Sequence, residues 1–312
     1  MGPVNTRSQP EAVVASAPAG RNSTSVTVSP TPHNRSRSAD RRTPASIAAR
    51  RRSLWLAFGP PVFGTAGIIG FLVLWQIAST SGWVDARHMP PPTVVLEQFF
   101  LNFGNADFWL ATGYTLRAWL LGVLISTAAG LVIGIIIGSS SFLVQLTHTT
   151  IEFLRPIPAV ALIPIAALLF GPRLGSELLI IIYACFWIVL IQVLYGIADL
   201  DKVATDTART MNLNFPQYAR YVVFPTLLPF LMTGLRLAAT VSLILAISVE
   251  LIVGTPGLGQ AVALAQINGA TATLYALIIT SGLLGIGINT LMRIIERKTL
   301  FWHESIRIGA TA

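Results

Sequence analysis

Five ionisable side chains lie inside stretches that are otherwise apolar: Arg117, Glu152, Arg155, Arg236 and Glu250. Charge in such surroundings is costly, so groups of this kind pair with one another, pair with backbone carbonyls, or face a wet path for a solute or ion. Three arginines against two carboxylates leave one surplus positive charge, which suits an anionic cargo. A second chemical region is the polar interval 206–225, reading DTARTMNLNFPQYARYVVFP, in which Asp206 and Arg209 stand three apart on one helical face. That pair reads either as a surface ion pair or as part of a docking surface.

Little else in the chain offers chemistry. Cys185 is single and sits in an apolar run, and His33, His88, His148 and His303 are scattered, which gives neither a disulfide framework nor a metal cluster. A phosphate-cradling loop needs glycines followed by a lysine, yet neither Lys202 nor Lys298 follows a glycine. Any ATP hydrolysis is therefore expected on another polypeptide. The Gly257-Leu258-Gly259 segment has no strand before it and is no nucleotide fingerprint; it reads as a turn at the mouth of a path or as plain loop geometry.

The elements that must hold these groups are hydrophobic. The chain of 312 residues is 53% hydrophobic and only 11% charged, against about 25% charged for a soluble domain. Its mean hydropathy is +0.68, a composition that belongs in a bilayer. The formal charge is +8, and Lys202 and Lys298 apart, all of the basic residues are arginine. Nucleic acid is not implied as a partner, because the basic excess sits in one tail and at helix ends.

That tail, residues 1–53, is rich in Ser, Thr, Pro, Ala and Arg, has no aromatic residue, and is expected to be disordered. Its nine arginines (Arg7, Arg21, Arg35, Arg37, Arg41, Arg42, Arg50, Arg51 and Arg52) either attract anionic lipid head groups, at about 1 kcal/mol each near the surface, or act only as a topology signal. A secretory signal peptide fits poorly, since the first apolar run begins near Leu54 and is too long.

About 20 apolar residues cross a bilayer, and six such runs are expected, at 62–80, 109–138, 142–170, 178–194, 227–253 and 275–292. Between the first two, 93–103 reads as an amphipathic interfacial helix. The third run carries Pro156 and Pro158 and is expected to be kinked or irregular in its first part. The platform 199–225 reads as two short helices, 201–211 and 215–224, split by Asn212-Leu213-Asn214, with Asn214 as N-cap and Pro216 in the first turn. An outer loop is expected from Gly254. With this topology sixteen basic residues fall inside against two, Arg87 and Arg173, in the short outer loops, so both termini are expected in the cytoplasm. No internal repeat of the kind that marks many secondary transporters is visible.

Rise per residue then sorts the buried charges. Arg117 falls about 12 Å from the outer start of its span and Glu250 near the outer end of the fifth, so these two are placed to pair. Glu152, Arg155 and Arg236 fall at roughly 13 to 20 Å from the inner side, where Glu152 is expected to bridge the two arginines at an inner gate.

The interval 206–225 resembles the signature of the permease subunits of binding-protein-dependent ABC importers, which runs E-A-A, three residues, G, nine residues, I-x-L-P. Asp206 stands in the place of the Glu, Thr207 and Ala208 of the two Ala, Asn212 of the Gly, Val222 of the Ile, Phe224 of the Leu and Pro225 of the Pro, with both spacings kept. Asp keeps the carboxylate, and Asn is the residue best able after Gly to take a left-handed conformation. Thr207 is the least natural replacement. The resemblance extends over about 89–302 and is nearest to the nitrate, sulfonate and taurine type, through Met89-Pro90-Pro91-Pro92-Thr93-Val94-Val95-Leu96, Thr115-Leu116-Arg117, Leu154-Arg155-Pro156-Ile157-Pro158 and Gly234-Leu235-Arg236.

The resemblance implies an all-α, MetI-like membrane fold with a cytoplasmic coupling helix pair, in a permease domain spanning 54–302 that is followed by a short cytoplasmic tail, 303–312. It also implies a second copy of the chain, a dimer of ATPase subunits that binds the ATP and magnesium, a periplasmic or lipid-anchored substrate-binding protein, and residence in a bacterial inner membrane. Asp206, Thr207, Ala208, Arg209, Asn212 and Pro225 would couple to the ATPase, with Ala208 small enough to enter a cleft of it, and the chain itself would hold no cofactor. Alternating access would move a small, anionic solute. An ion-coupled secondary transporter is the competing class, and a membrane-embedded enzyme finds no catalytic constellation.

Overall fold

The computed structural model describes residues 63–301 apart from Ala86. The expected tails 1–53 and 303–312 lie outside the described residues. Within the described residues the helices are α1 (Phe63–Thr80), α2 (Pro92–Asn102), α3 (Ala106–Gly138), α4 (Ser141–Leu154), α5 (Ile163–Phe170), α6 (Leu174–Ala198), α7 (Lys202–Thr210), α8 (Phe215–Tyr218), α9 (Phe224–Val253), α10 (Leu258–Ile267) and α11 (Thr271–Thr299). Five apolar stretches are long enough to cross a membrane, and a bent pair, α4 with the run 159–170, makes a sixth.

The centre of the bundle is α6, which packs on α3 along one side and on α9 along the other. Its Ile180, Ile181, Cys185, Val189 and Val193 are buried with Ala238, Leu245, Ala246 and Val249 of α9 and with Ala118 of α3. Close approach to α3 is possible because Gly122, Gly130, Gly134 and Gly138 recur on one face of that helix. A Cβ on Gly134 would lie 2.6 Å from Val193 Cγ1, and one on Gly130 would lie 2.9 Å from Val189 Cβ. Small residues at four-residue spacing do this work between membrane helices, where water supplies no hydrophobic drive. Polar ties supplement the packing: Trp119 Nε1 donates to the Ala239 carbonyl at 2.8 Å, joining α3 to α9. Hydroxyls inside spans are satisfied locally, as where Thr112, Thr226, Thr233 and Thr280 each donate to the carbonyl four residues back.

The third run is broken, not merely kinked: its two parts meet at 76°. Pro158 removes the N–H that would bond the Leu154 carbonyl. That carbonyl instead accepts from Ile157 N at 3.2 Å and from the Tyr183 hydroxyl at 2.8 Å.

Four expectations need correction. The fourth span starts at Leu174 and the sixth runs Thr271–Thr299, so both are longer than the apolar runs alone. The second platform helix does not stop before the fifth span; helix continues from Phe215 to Val253. A π turn at Ala219–Val223 sits where Pro225 withdraws an N–H and displaces the carbonyl of Tyr221. The interval after Gly254 is no open loop, because α10 forms within it and Leu258 and Gly259 are buried.

Candidate functional site

The platform is built by local capping. Asp201 accepts from Val203 N at 2.8 Å and opens α7. Asn212, with φ of 50°, closes it in the left-handed region. Leu213 N then reaches back to the Ala208 carbonyl and Asn212 N to that of Arg209, each at 3.0 Å, the paired bonds of a left-handed helix terminus. Two residues later Asn214 opens α8 by accepting from Gln217 N at 3.1 Å, while Gln217 Oε1 accepts from Asn214 N. This reciprocal box fixes the angle between the platform helices.

Of the expected coupling residues, Asp206, Thr207, Arg209, Asn212 and Pro225 are exposed, whereas Ala208 is buried. Ala208 therefore cannot enter a cleft on another protein; its small side chain lets α7 sit against the turn at 219–223. The outward face is instead made by Val203, Met211 and Phe215, exposed at 71%, 68% and 79%, beside the Asp206–Arg209 pair at 3.6 Å. Exposed large apolar side chains on a polar insert make this a candidate interaction surface.

Within the spans the expected pairs re-sort. Glu152 does not bridge Arg155 and Arg236: it is exposed and lies 3.5 Å from His148 Nδ1, one turn back on α4. The break at the prolines bends the run by 76° and α4 buries none of its residues, which the run of apolar residues did not show. Arg236 pairs instead with Glu296 of α11 at 3.0 Å. Arg155, in the break itself, has no carboxylate partner among the described residues and lines a cavity of about 290 Å³ with Tyr183, Trp187 and Gln192 of α6.

Glu250 does not pair directly with Arg117 either. Its Oε2 accepts from Thr115 Oγ1 at 3.0 Å and from Gly259 N at 2.8 Å, and Leu258 N donates to Thr115 Oγ1 at 2.9 Å. The carboxylate thus stitches α3, α9 and the start of α10 at the end of the bundle opposite the platform. A side chain at Gly257 would overlap that carboxyl, which explains glycine there. Glu177, in the first turn of α6 and 2% exposed, stands in the field of Thr255, Glu250 and Arg117. Glu250 Oε1 has no hydrogen-bond partner among the described residues.

Glu177 and Glu296 are functional candidates that the apolar-run criterion missed, since each lies just beyond the expected edge of a span. For Glu177 the signal was an acid in a first turn, which the helix dipole favours; for Glu296 it was an acid three residues after Arg293 in a basic helix end. Counting them removes the surplus of arginine over carboxylate. What survives is local, the unpaired Arg155. The other missed signal is the polar and aromatic stripe of α6, Tyr183, Trp187 and Tyr195 at four- and eight-residue spacing.

Residues 130–301, more than half of the chain, match the family described as binding-protein-dependent transport system inner membrane component. The taurine transport system permease protein TauC of Escherichia coli (strain K12) is 27% identical over 249 residues, covering 78% of this chain and 90% of TauC. The bicarbonate transport system permease protein CmpB of Synechococcus elongatus is 30% identical over 207 residues, 62% of this chain and 73% of CmpB. The nitrate import permease protein NrtB of Synechocystis sp. is 27% identical over 264 residues, 81% and 95% of the two chains. Among solved structures, a chain of the inward-facing MetNI methionine ABC transporter superposes with a TM-score of 0.50 at 19% identity, covering 61% of this chain and 96% of that one. The fold is therefore MetI-like.

Proposed function

Because the chain belongs to the family of binding-protein-dependent transport system inner membrane components, as the permease subunit of an ABC importer, we propose that it carries a small anion into the cytoplasm. The cargo class is a sulfonate such as taurine, nitrate, bicarbonate or a related solute. Support for it comes from the names of the relatives, each of which specifies such a solute.

The observation that carries the coupling is the platform inserted between α6 and α9. It presents Val203, Met211 and Phe215 beside Asp206 and Arg209, and it runs without interruption into the fifth span. A push on that face is passed to α9 through the helical run Phe215–Val253, whose π turn at Ala219–Val223 and internal Pro229 mark where it can bend. In our reading a dimer of ATPase subunits binds there and holds the ATP and magnesium. Thr207 lies on the exposed side, Asn212 shapes the turn between the platform helices, Pro225 lies at the junction with α9, and Ala208 serves the platform from within.

A second copy of the chain and an external substrate-binding protein complete the importer, embedded in membrane lipids. Both termini face the cytoplasm, as the bias of basic residues toward the platform side supports. ATP-driven closure of the ATPases brings the platforms together and opens the spans to the loaded binding protein; hydrolysis reverses this. Arg117, Glu177 and Glu250 would then hold the outer end of the bundle, and the Arg236–Glu296 pair would tie α9 to α11.

The test is uptake of labelled taurine, nitrate and bicarbonate by proteoliposomes holding this chain, its ATPase and its binding protein. ATP-dependent uptake of one of them, lost when the ATPase is omitted, is expected. Uptake by the chain alone, driven by an ion gradient without ATP, would return the ion-coupled class. Met211→Glu with Asp206→Lys should abolish co-purification of the ATPase while leaving the chain folded.

A further inference from the structure

The cavity beside the broken third span has a composition that the importer reading leaves unexplained. It is lined by Arg155, Tyr183, Trp187, Gln192, Tyr195 and Leu237, with further aliphatic residues and no carboxylate. Arg155 is held there by the break: Pro156 and Pro158 prevent the helix from continuing, and the Tyr183 hydroxyl bonds the Leu154 carbonyl that the break would orphan. Trp187 turns its ring edge-on to Tyr183, with centroids 6.2 Å apart, and its indole N–H is buried without a partner. A buried donor left unpaired is uncommon and calls for an acceptor.

We propose that Arg155, the Trp187 indole N–H and the aromatic wall of α6 form a subsite for an organic anion, a sulfonate or carboxylate head on an apolar body. The proposal rests on the reading of the chain as an anion importer and narrows its cargo. Arg155 offers a planar fork of donors that matches two oxygens of such a head group, and Trp187 supplies a donor for a third. The cavity, about 290 Å³ and open to the surface on one side, has room for more than a three-oxygen inorganic ion, roughly two water volumes, ~60 Å³. Tyr183, the Trp187 ring and Leu237 give the remaining space apolar walls, which suit a short aliphatic chain and do nothing for nitrate.

The test is equilibrium binding to the full chain, purified with its ATPase in lipid nanodiscs and without the binding protein, measured by titration calorimetry. The probes are 1-propanesulfonate and nitrate. Wild type should bind propanesulfonate, with nitrate at least about tenfold weaker, and Arg155→Gln should weaken propanesulfonate by on the order of tenfold or more. Arg155→Lys should recover part of that loss, and Trp187→Phe, which keeps a ring and removes one donor, should cost several-fold. If Arg155→Gln does not assemble with the ATPase, Trp187→Phe decides. No binding of propanesulfonate by wild type, unchanged binding in the deciding variant, or nitrate binding equally well would overturn the subsite. Uptake in proteoliposomes separates the two claims: normal ATP-driven anion uptake by Arg155→Gln removes the subsite and keeps the importer. Propanesulfonate binding without ATP-driven uptake of any anion keeps the subsite and removes the anion-importer reading.

Discussion

Glu250 is the residue whose environment most constrains its role. Its Oε2 satisfies both Thr115 and the amide of Gly259, and those bonds are buried. Glu250→Ala therefore strands a buried amide, at about 1–3 kcal/mol, beyond the packing it loses. The thermal midpoint of the purified protein in detergent should fall clearly, and Thr115→Val, which removes the partner of Leu258 N, should fall by a similar amount. Glu250→Gln keeps an acceptor oxygen and loses the charge; lowered uptake with assembly intact would place that charge in the transport cycle, whereas normal uptake would confine Glu250 to a structural role. Gly257→Ala should be as harmful as Glu250→Ala, because its methyl group would occupy the carboxyl's space. The Arg236–Glu296 pair is partly buried, with side chains 37% and 20% exposed. Arg236→Ala should destabilise more than the swap of both charges, as measured by the same midpoint.

At the level of elements, the α3–α6 contact and the platform caps make opposite kinds of demand. The α3 glycines are needed for lack of volume: Gly134→Ala pushes a methyl group into Val193 and should cost about 1–3 kcal/mol by overpacking. Val193→Ala placed in the same chain should recover part of the loss, and failure of that rescue in a detergent unfolding series would mean that the helices part elsewhere. Platform residues are needed for backbone geometry. Asn214→Ala breaks the reciprocal cap and should cost about 0.5–2 kcal/mol locally, seen as faster hydrogen exchange of the α8 amides. Asn212→Gly should be tolerated, since φ of 50° suits glycine, whereas Asn212→Val should loosen the platform and weaken ATPase co-purification.

For the whole molecule, coupling depends on a continuous path from the platform to the opposite end of the bundle. Helix runs from Phe215 through Val253, and Glu250, near its far end, is the group that ties it to α3 and α10. A change at the platform is thus mechanically connected to the Glu250 cluster through one element. A cross-link between α3 and α9 near that cluster, made with cysteines at Leu116 and Ile247, which pack against one apolar cluster, in a Cys185→Ala background, should leave ATPase binding intact. If α9 moves against α3 during the cycle, the cross-link should also arrest uptake, with recovery on reduction; undiminished uptake when cross-linked would show that the two helices travel together.

The amino-acid sequence by itself determined the class of the protein, its number of spans and its platform. Those features follow from local quantities: apolar length against bilayer thickness, caps at Asp201 and Asn214, a residue tolerant of positive φ at Asn212, and proline where the third span breaks. The spacing at 206–225 carried the family. Only the tertiary structure decided which charges meet. Rise along a helix gives depth but not azimuth, so Glu152, Arg155 and Arg236 shared a depth and yet point to different neighbours. Span edges were misread for the same reason that Glu177 and Glu296 were missed: apolar runs end where side chains become polar, while the helix continues on backbone hydrogen bonds. The inward turn of Ala208 and the cavity around Arg155 depend on packing between segments distant in the chain, and no local pattern encodes the pairing of those faces.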